Sequence, residues 1–174
     1  MDYVLAEVET SPTDADGMPG RARLERLSLS LRAVLSAHPH LHEILTSQLA
    51  VTPSTVRMAE AALGCLRDWG IADADLVDAY NAWSGYVIGF TVIEAKPPEL
   101  APDPQLQQAM RIQLERMTAR DFPIVSELLP EVANLAYGLS WLPGRLGAAR
   151  SSFEWGLKAL LDGIEASKRQ RQTE

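Results

Sequence analysis

The stretch Tyr80-Asn-Ala-Trp-Ser-Gly-Tyr-Val-Ile-Gly-Phe-Thr-Val-Ile-Glu94 sets large apolar groups around most of a helical circumference instead of along one stripe. Strict apolar and polar alternation is nearly absent from the chain, whereas apolar residues recur three and four apart, so the expected fold class is all-α. A helix apolar on several sides has to be covered on more than one of them. Gly85 and Gly89 each cost this helix roughly 1 kcal/mol relative to alanine, a penalty that makes sense where another backbone approaches closely. The last helix repeats the signature, with Phe153, Trp155, Leu157, Leu160, Leu161 and Ile164 as its large groups and Gly156 and Gly163 on one face.

With 174 residues, 47% of them hydrophobic, the chain can bury one substantial core and reads as a single domain. Such a domain covers one face of each of these two helices, and a symmetric dimer covers the other most simply. The expected assembly is a four-helix bundle built from residues 74–95, residues 148–167 and their symmetry mates. Its interface would use Gly85, Ile88, Gly89, Val92, Phe153, Gly156, Leu157, Leu160, Gly163 and Ile164. The alternative is a monomer in which both are central core helices.

Outward from this pair, the breakers lay out the remaining elements. Asp2 to Glu9 reads as the last turns of a helix, followed by a loop from Thr10 to Gly20 containing Pro12, Gly17, Pro19 and Gly20. An amphipathic helix is expected over Arg21 to Ala37, with Leu24, Leu27, Leu31, Val34 and Leu35 inward and Arg23, Glu25, Arg26 and Arg32 mostly outward. Pro39 ends it and begins a short helix through Leu49. Thr52 and Pro53 are a cap and a first-turn proline for a helix reaching Trp69, and Gly70 suits a left-handed stop. Asp73 is expected to cap the helix that runs to about Ala95, before the Pro-rich loop to Pro104. Gln105 to Thr118 forms the next helix, with Leu106, Met110, Leu114 and Met117 on its apolar face. A further piece starts at Pro123 and is kinked by Pro130, an irregular link covers Gly138 to Gly147, and the last helix runs from about Ala148 to Ser167.

Composition removes several functions. A formal charge of -7 gives no general attraction to phosphate, and the one basic run, Lys168-Arg169-Gln170-Arg171, reads as a solvated tail. The single cysteine, Cys65, excludes an intrachain disulfide and suits a reducing cytoplasm. The acidic start lacks the character of a signal peptide, and the apolar run from Tyr86 to Ile93 is far short of the about 20 residues needed to span a bilayer.

Several local wordings occur in a characteristic order: Leu31-Arg-Ala-Val-Leu-Ser-Ala-His38-Pro39, Thr52-Pro53, Leu66-Arg-Asp-Trp-Gly70, Ala79-Tyr80 through Glu94, and Phe153-Glu-Trp-Gly156-Leu-Lys-Ala-Leu-Leu-Asp-Gly163-Ile-Glu165. Together they resemble the C-terminal domain of the tetracycline-repressor (TetR) family over nearly the whole chain. The resemblance implies an antiparallel helical bundle that binds a small effector, dimerises and regulates transcription, most often as a repressor. It also implies that Asp2 to Glu9 is the remnant of the helix linking a DNA-reading head to this body. No helix-turn-helix is evident in the chain itself, so specific DNA binding by this chain alone is not expected. Truncation, a displaced start codon and a naturally headless protein are equally compatible with the sequence. In tetracycline-binding members a histidine helps to hold a magnesium-drug chelate; the matching place here is Leu45 or Gln48, so tetracycline is not the expected effector.

A hydrophobic or aromatic effector would enter an apolar cavity between helices with a few polar groups to orient it. Candidate lining residues are Leu31, Val34, His42, Met58, Ala62, Cys65, Trp83, Tyr86, Phe90, Glu94 and Met110, each of which ordinary core packing would explain as well. His38, His40 and His42 cluster, but they flank Pro39 without a cysteine or a regular third ligand, so neither metal nor cofactor is expected. No Gly-rich phosphate loop, G-x-S-x-G elbow or H-E-x-x-H motif occurs, and an enzyme is not expected. The competing readings are a headless module that pairs with a full-length relative and a small helical enzyme using His42 and Glu94.

Overall fold

The computed structural model describes residues 5–8, 17–41, 51–94, 104–131 and 152–171. All regular elements among them are helical. They are α1 (Gly20–Ala37), α2 (Pro53–Asp68), α3 (Leu76–Glu94), α4 (Pro104–Asp121), α5 (Pro123–Leu128) and α6 (Ser152–Arg171), with single 3-10 turns at Asp73–Asp75 and Leu129–Glu131. The contacts gather into two compact units. One comprises Met1–Ala95 with Leu157–Glu174, the other Lys96–Gly156.

In the first unit α1, α2 and α3 pack against one another. Leu24, Leu27, Leu31, Val34 and Leu35 are buried as their spacing predicts, joined by Ser28 on the same face. Burying a hydroxyl is costly unless it is bonded. Ser28 accepts from the Trp83 indole N–H at 2.8 Å and donates to the Leu24 carbonyl at 2.7 Å, so a polar chain crosses the α1–α3 contact fully satisfied.

The ends of α2 follow the sequence. Thr52 accepts from the Thr55 amide at 3.3 Å while its own amide donates to the Thr55 hydroxyl at 2.8 Å, a reciprocal cap with threonine in the place usually held by glutamate or glutamine. At the other end Gly70 adopts φ +84°. Its amide donates to the Arg67 carbonyl at 2.8 Å, and the Ile71 amide donates to that of Leu66 at 3.1 Å. These two bonds make a Schellman motif, closed by the buried side chains of Leu66 and Ile71.

The start of α3 differs from expectation. Asp73 does not cap it; the chain first makes a 3-10 turn, with no side-chain cap at Ala72. The carboxylates are drawn elsewhere, Asp73 toward Arg67 at 3.3 Å and Asp75 toward Arg171 at 2.7 Å. Within α3 the buried positions are Leu76, Ala79, Trp83, Val87 and Thr91, a single stripe. Val77, Val92 and Ile93 remain exposed.

In the second unit α4 extends beyond its expected bounds at both ends. Pro130 lies in the 3-10 turn that follows α5, and its neighbour Leu129 is buried, its carbonyl accepting from Arg111 at 2.8 Å. Along the expected apolar face of α4, Met110 and Met117 are exposed. Near the N-terminus Leu5 and Val8 are buried in a turn closed by the Val8 amide. Most of the 10–20 loop, most of the short helix expected to end at Leu49, the 138–147 link and residues 148–151 of the last helix lie outside the described residues.

Candidate sensing core and association face

The ligand-lining candidates separate by position. Leu31, Ala62 and Trp83 are fully buried, and Val34, Met58 and Cys65 nearly so, where α1, α2 and α3 meet. Burial pushes the Cys65 thiol above its ordinary pKa, an effect that Arg23 partly offsets. Trp83 is held as a core residue by Ser28. Tyr86, Phe90 and Glu94 are half-buried on the next three turns of α3. Met110 is exposed in the second unit, and His42 lies outside the described residues.

Around Glu94 the structure assembles a group that the sequence did not announce. Arg32 donates two hydrogen bonds to the Glu94 carboxylate, both at 2.8 Å, so the pair is bidentate and ties α1 to the C-terminal end of α3. The Tyr86 ring lies 5.6 Å from that of Phe90. Burial raises the Tyr86 phenol above its usual pKa and the Glu94 charge adds to the rise, while a hydrogen bond with the Leu157 backbone and the Arg32 charge oppose it. Amphipathic spacing placed Arg32 on the polar side of α1, and its partner is 62 residues away. No local pattern signals such a pair.

The other candidate region lies along α3 and α6. On α3, Asp78, Ala82, Gly85, Gly89 and Val92 recur four and three apart; on α6, Gly156, Leu160, Gly163 and Ser167 do the same. A 3.5-residue period is the spacing of the seams along which nearly parallel or antiparallel helices pack. None of these nine side chains or glycines is buried within the chain. A Cβ added at Gly85, Gly89 or Gly163 would meet nothing within 4 Å among the described residues. Of the other expected interface residues, Ile88 and Ile164 are half-buried, while Phe153 and Leu157 are buried inside the chain.

At one end of this seam opens a groove of about 700 Å³. Its apolar wall includes Ala79, Ala82, Leu160 and Ile164, and Gly70, Ile71 and Ala72 line it beside the start of α3. Its charged groups are Asp75, Asp78, Lys168 and Arg171. Asp75 pairs with Arg171, Lys168 donates to the Trp69 carbonyl at 2.6 Å, and Asp78 has no ion pair among the described residues.

The histidines offer little. His38 faces Glu7 at 3.6 Å and meets the His40 ring edge-on at 5.9 Å. Among the described residues no group of three or more His, Cys, Asp or Glu could hold a metal ion, and no helix is long and apolar enough to cross a membrane.

Residues 14–168 match the family model described as the tetracyclin repressor-like, C-terminal domain. No curated protein matches the chain. A crystal structure described as a possible TetR family transcriptional regulator from Streptomyces coelicolor A3(2) is similar at 26% identity and a TM-score of 0.69, covering 95% of this chain and 74% of that one. The ordered sequence wordings, the helical architecture and a family match over most of the length agree, and the chain belongs to the tetracycline repressor-like C-terminal domain family of transcriptional regulators.

Proposed function

We propose that this chain is the effector-binding and dimerising body of a cytoplasmic transcriptional repressor, and that it pairs through α3 and α6 in a four-helix interface. The observation that carries the reading is the pair of unburied seams at 3.5-residue spacing, with three helical glycines whose missing side chains face open space. Glycine inside a helix costs roughly 1 kcal/mol relative to alanine. No contact among the described residues recovers that cost at Gly85, Gly89 or Gly163, whereas a second backbone coming close would. Ile88 and Ile164 flank the seams, whereas Phe153 and Leu157 are buried within their own chain.

The effector site in this reading is the inner face of the α1–α2–α3 bundle, lined by Leu31, Val34, Met58, Ala62, Cys65 and Trp83, with Tyr86, Phe90 and Glu94 toward its edge. Its apolar and aromatic character selects a hydrophobic or aromatic molecule. Binding would favour one arrangement of the dimer over another, a population shift that a DNA-reading segment converts into altered operator affinity.

Sedimentation of the purified chain tests the assembly. The wild type is expected at twice the mass of the protomer, and Gly89→Arg, which places a long cation on the seam, is expected at the protomer mass. A monomeric wild type overturns the reading.

A further inference from the structure

Helix α6 has a second side, away from the seam. Asp162, Glu165 and Lys168, three apart, all reach the junction of α1 and α2. Trp69, the C-terminal cap residue of α2, sits at its centre. Its indole N–H donates to Glu165, its carbonyl accepts from Lys168 at 2.6 Å, and the Arg21 guanidinium lies 5.5 Å from the ring centre. Arg21 is fixed in turn by Asp162 at 2.6 Å and by Glu25 at 3.2 Å. Bonds to charged partners are about twice as strong as neutral ones, and a cation near the last carbonyls of a helix complements its dipole.

This cluster borders the groove directly. Gly70 follows Trp69 in the left-handed region, and the Lys168 amine lies 3.3 Å from where a Gly70 Cβ would stand. Gly70, Ile71, Ala72, Lys168 and Arg171 all line the groove. The contacts that grip Trp69 therefore fix the wall of the groove against the helix that carries one of the two seams.

We infer that Trp69 is a positioning residue for association: it lies off both seams and sets the angle at which α6 presents Leu160, Gly163 and Ser167 to a second copy of the chain. The inference rests on the dimer reading above. Trp69→Phe keeps an aromatic ring near Arg21 while removing the N–H donor and the second ring of the indole. Thr52→Ala removes the reciprocal cap at the opposite end of α2, within the same unit and off the groove, both seams and the effector-lining residues.

Sedimentation equilibrium and urea denaturation of the wild type, Trp69→Phe, Thr52→Ala and Glu165→Ala decide the matter. Trp69→Phe and Glu165→Ala are each expected to raise the dimer dissociation constant about tenfold, the equivalent of about 1.4 kcal/mol. Thr52→Ala is expected to lower the urea midpoint and leave the dissociation constant unchanged. A Trp69→Phe or Glu165→Ala dimer as tight as the wild type, or an equal weakening by Thr52→Ala, overturns the inference while the dimer reading stands. A monomeric wild type overturns both.

Discussion

Replacing Gly89 with alanine asks whether the seam meets another backbone. Among the described residues of the protomer the added methyl meets nothing within 4 Å. If the chain acts alone, the substitution removes a helix penalty of about 1 kcal/mol and restricts the unfolded chain. For a domain of this length the melting temperature then rises by about 2–4 °C. If a second copy is packed there, the methyl enters a filled space, and overpacking costs about 1–3 kcal/mol. Two-fold symmetry introduces a methyl from each copy, so the dissociation constant rises roughly tenfold or more. Gly64 is the control, because it is also helical and its Cβ would also meet nothing within 4 Å, but it lies on α2. Gly64→Ala should raise the melting temperature and leave association untouched. Sedimentation velocity over a concentration series, with thermal melts at low concentration, reads both quantities. If Gly89→Ala behaves as Gly64→Ala does, the close-approach reasoning is refuted.

Gly20 gives the opposite expectation: an added Cβ there would overlap the Cys65 carbonyl and the Trp69 amide, both backbone atoms. Gly20→Ala is expected to destabilise by about 1–3 kcal/mol in urea denaturation, and a neutral result would mean that α1 does not start against the end of α2. The acid limb of stability provides a further check. Hydrogen bonds from Lys158 and Arg21 hold the Asp162 carboxyl below its ordinary pKa. Its contribution is therefore present above the ordinary carboxylate pKa and is lost as pH falls through the lowered folded value. Asp162→Asn should lower the urea midpoint at pH 7 and flatten its fall below about pH 4, whereas an unchanged acid slope would show that Asp162 is not coupled to folding.

The helical class, the Leu24 to Leu35 core face and both ends of α2 were legible in the sequence because each depends on residues within a few positions of one another. Thr52 needs only Thr55, and Gly70 needs only the turn it terminates. The surplus apolar character of α3 was equally visible, since the period of a helix is a local property. Asp73 carries the local chemistry of a cap, but it lies inside the 3-10 turn that precedes α3, and its carboxylate faces Arg67.

The division of labour around each helix was decided only by the tertiary structure. Periodicity showed that α3 and α6 have more than one apolar side, but it could not say which side the chain covers itself. Leu157 and Phe153 turned inward while Gly85, Gly89 and Gly163 stayed open. Arg32 and Glu94, 62 residues apart, and Trp69 and Glu165, 96 apart, meet because the packing of several helices brings them together. A one-dimensional pattern records the period of a helix, whereas the identity of the group opposite each face depends on how the helices cross.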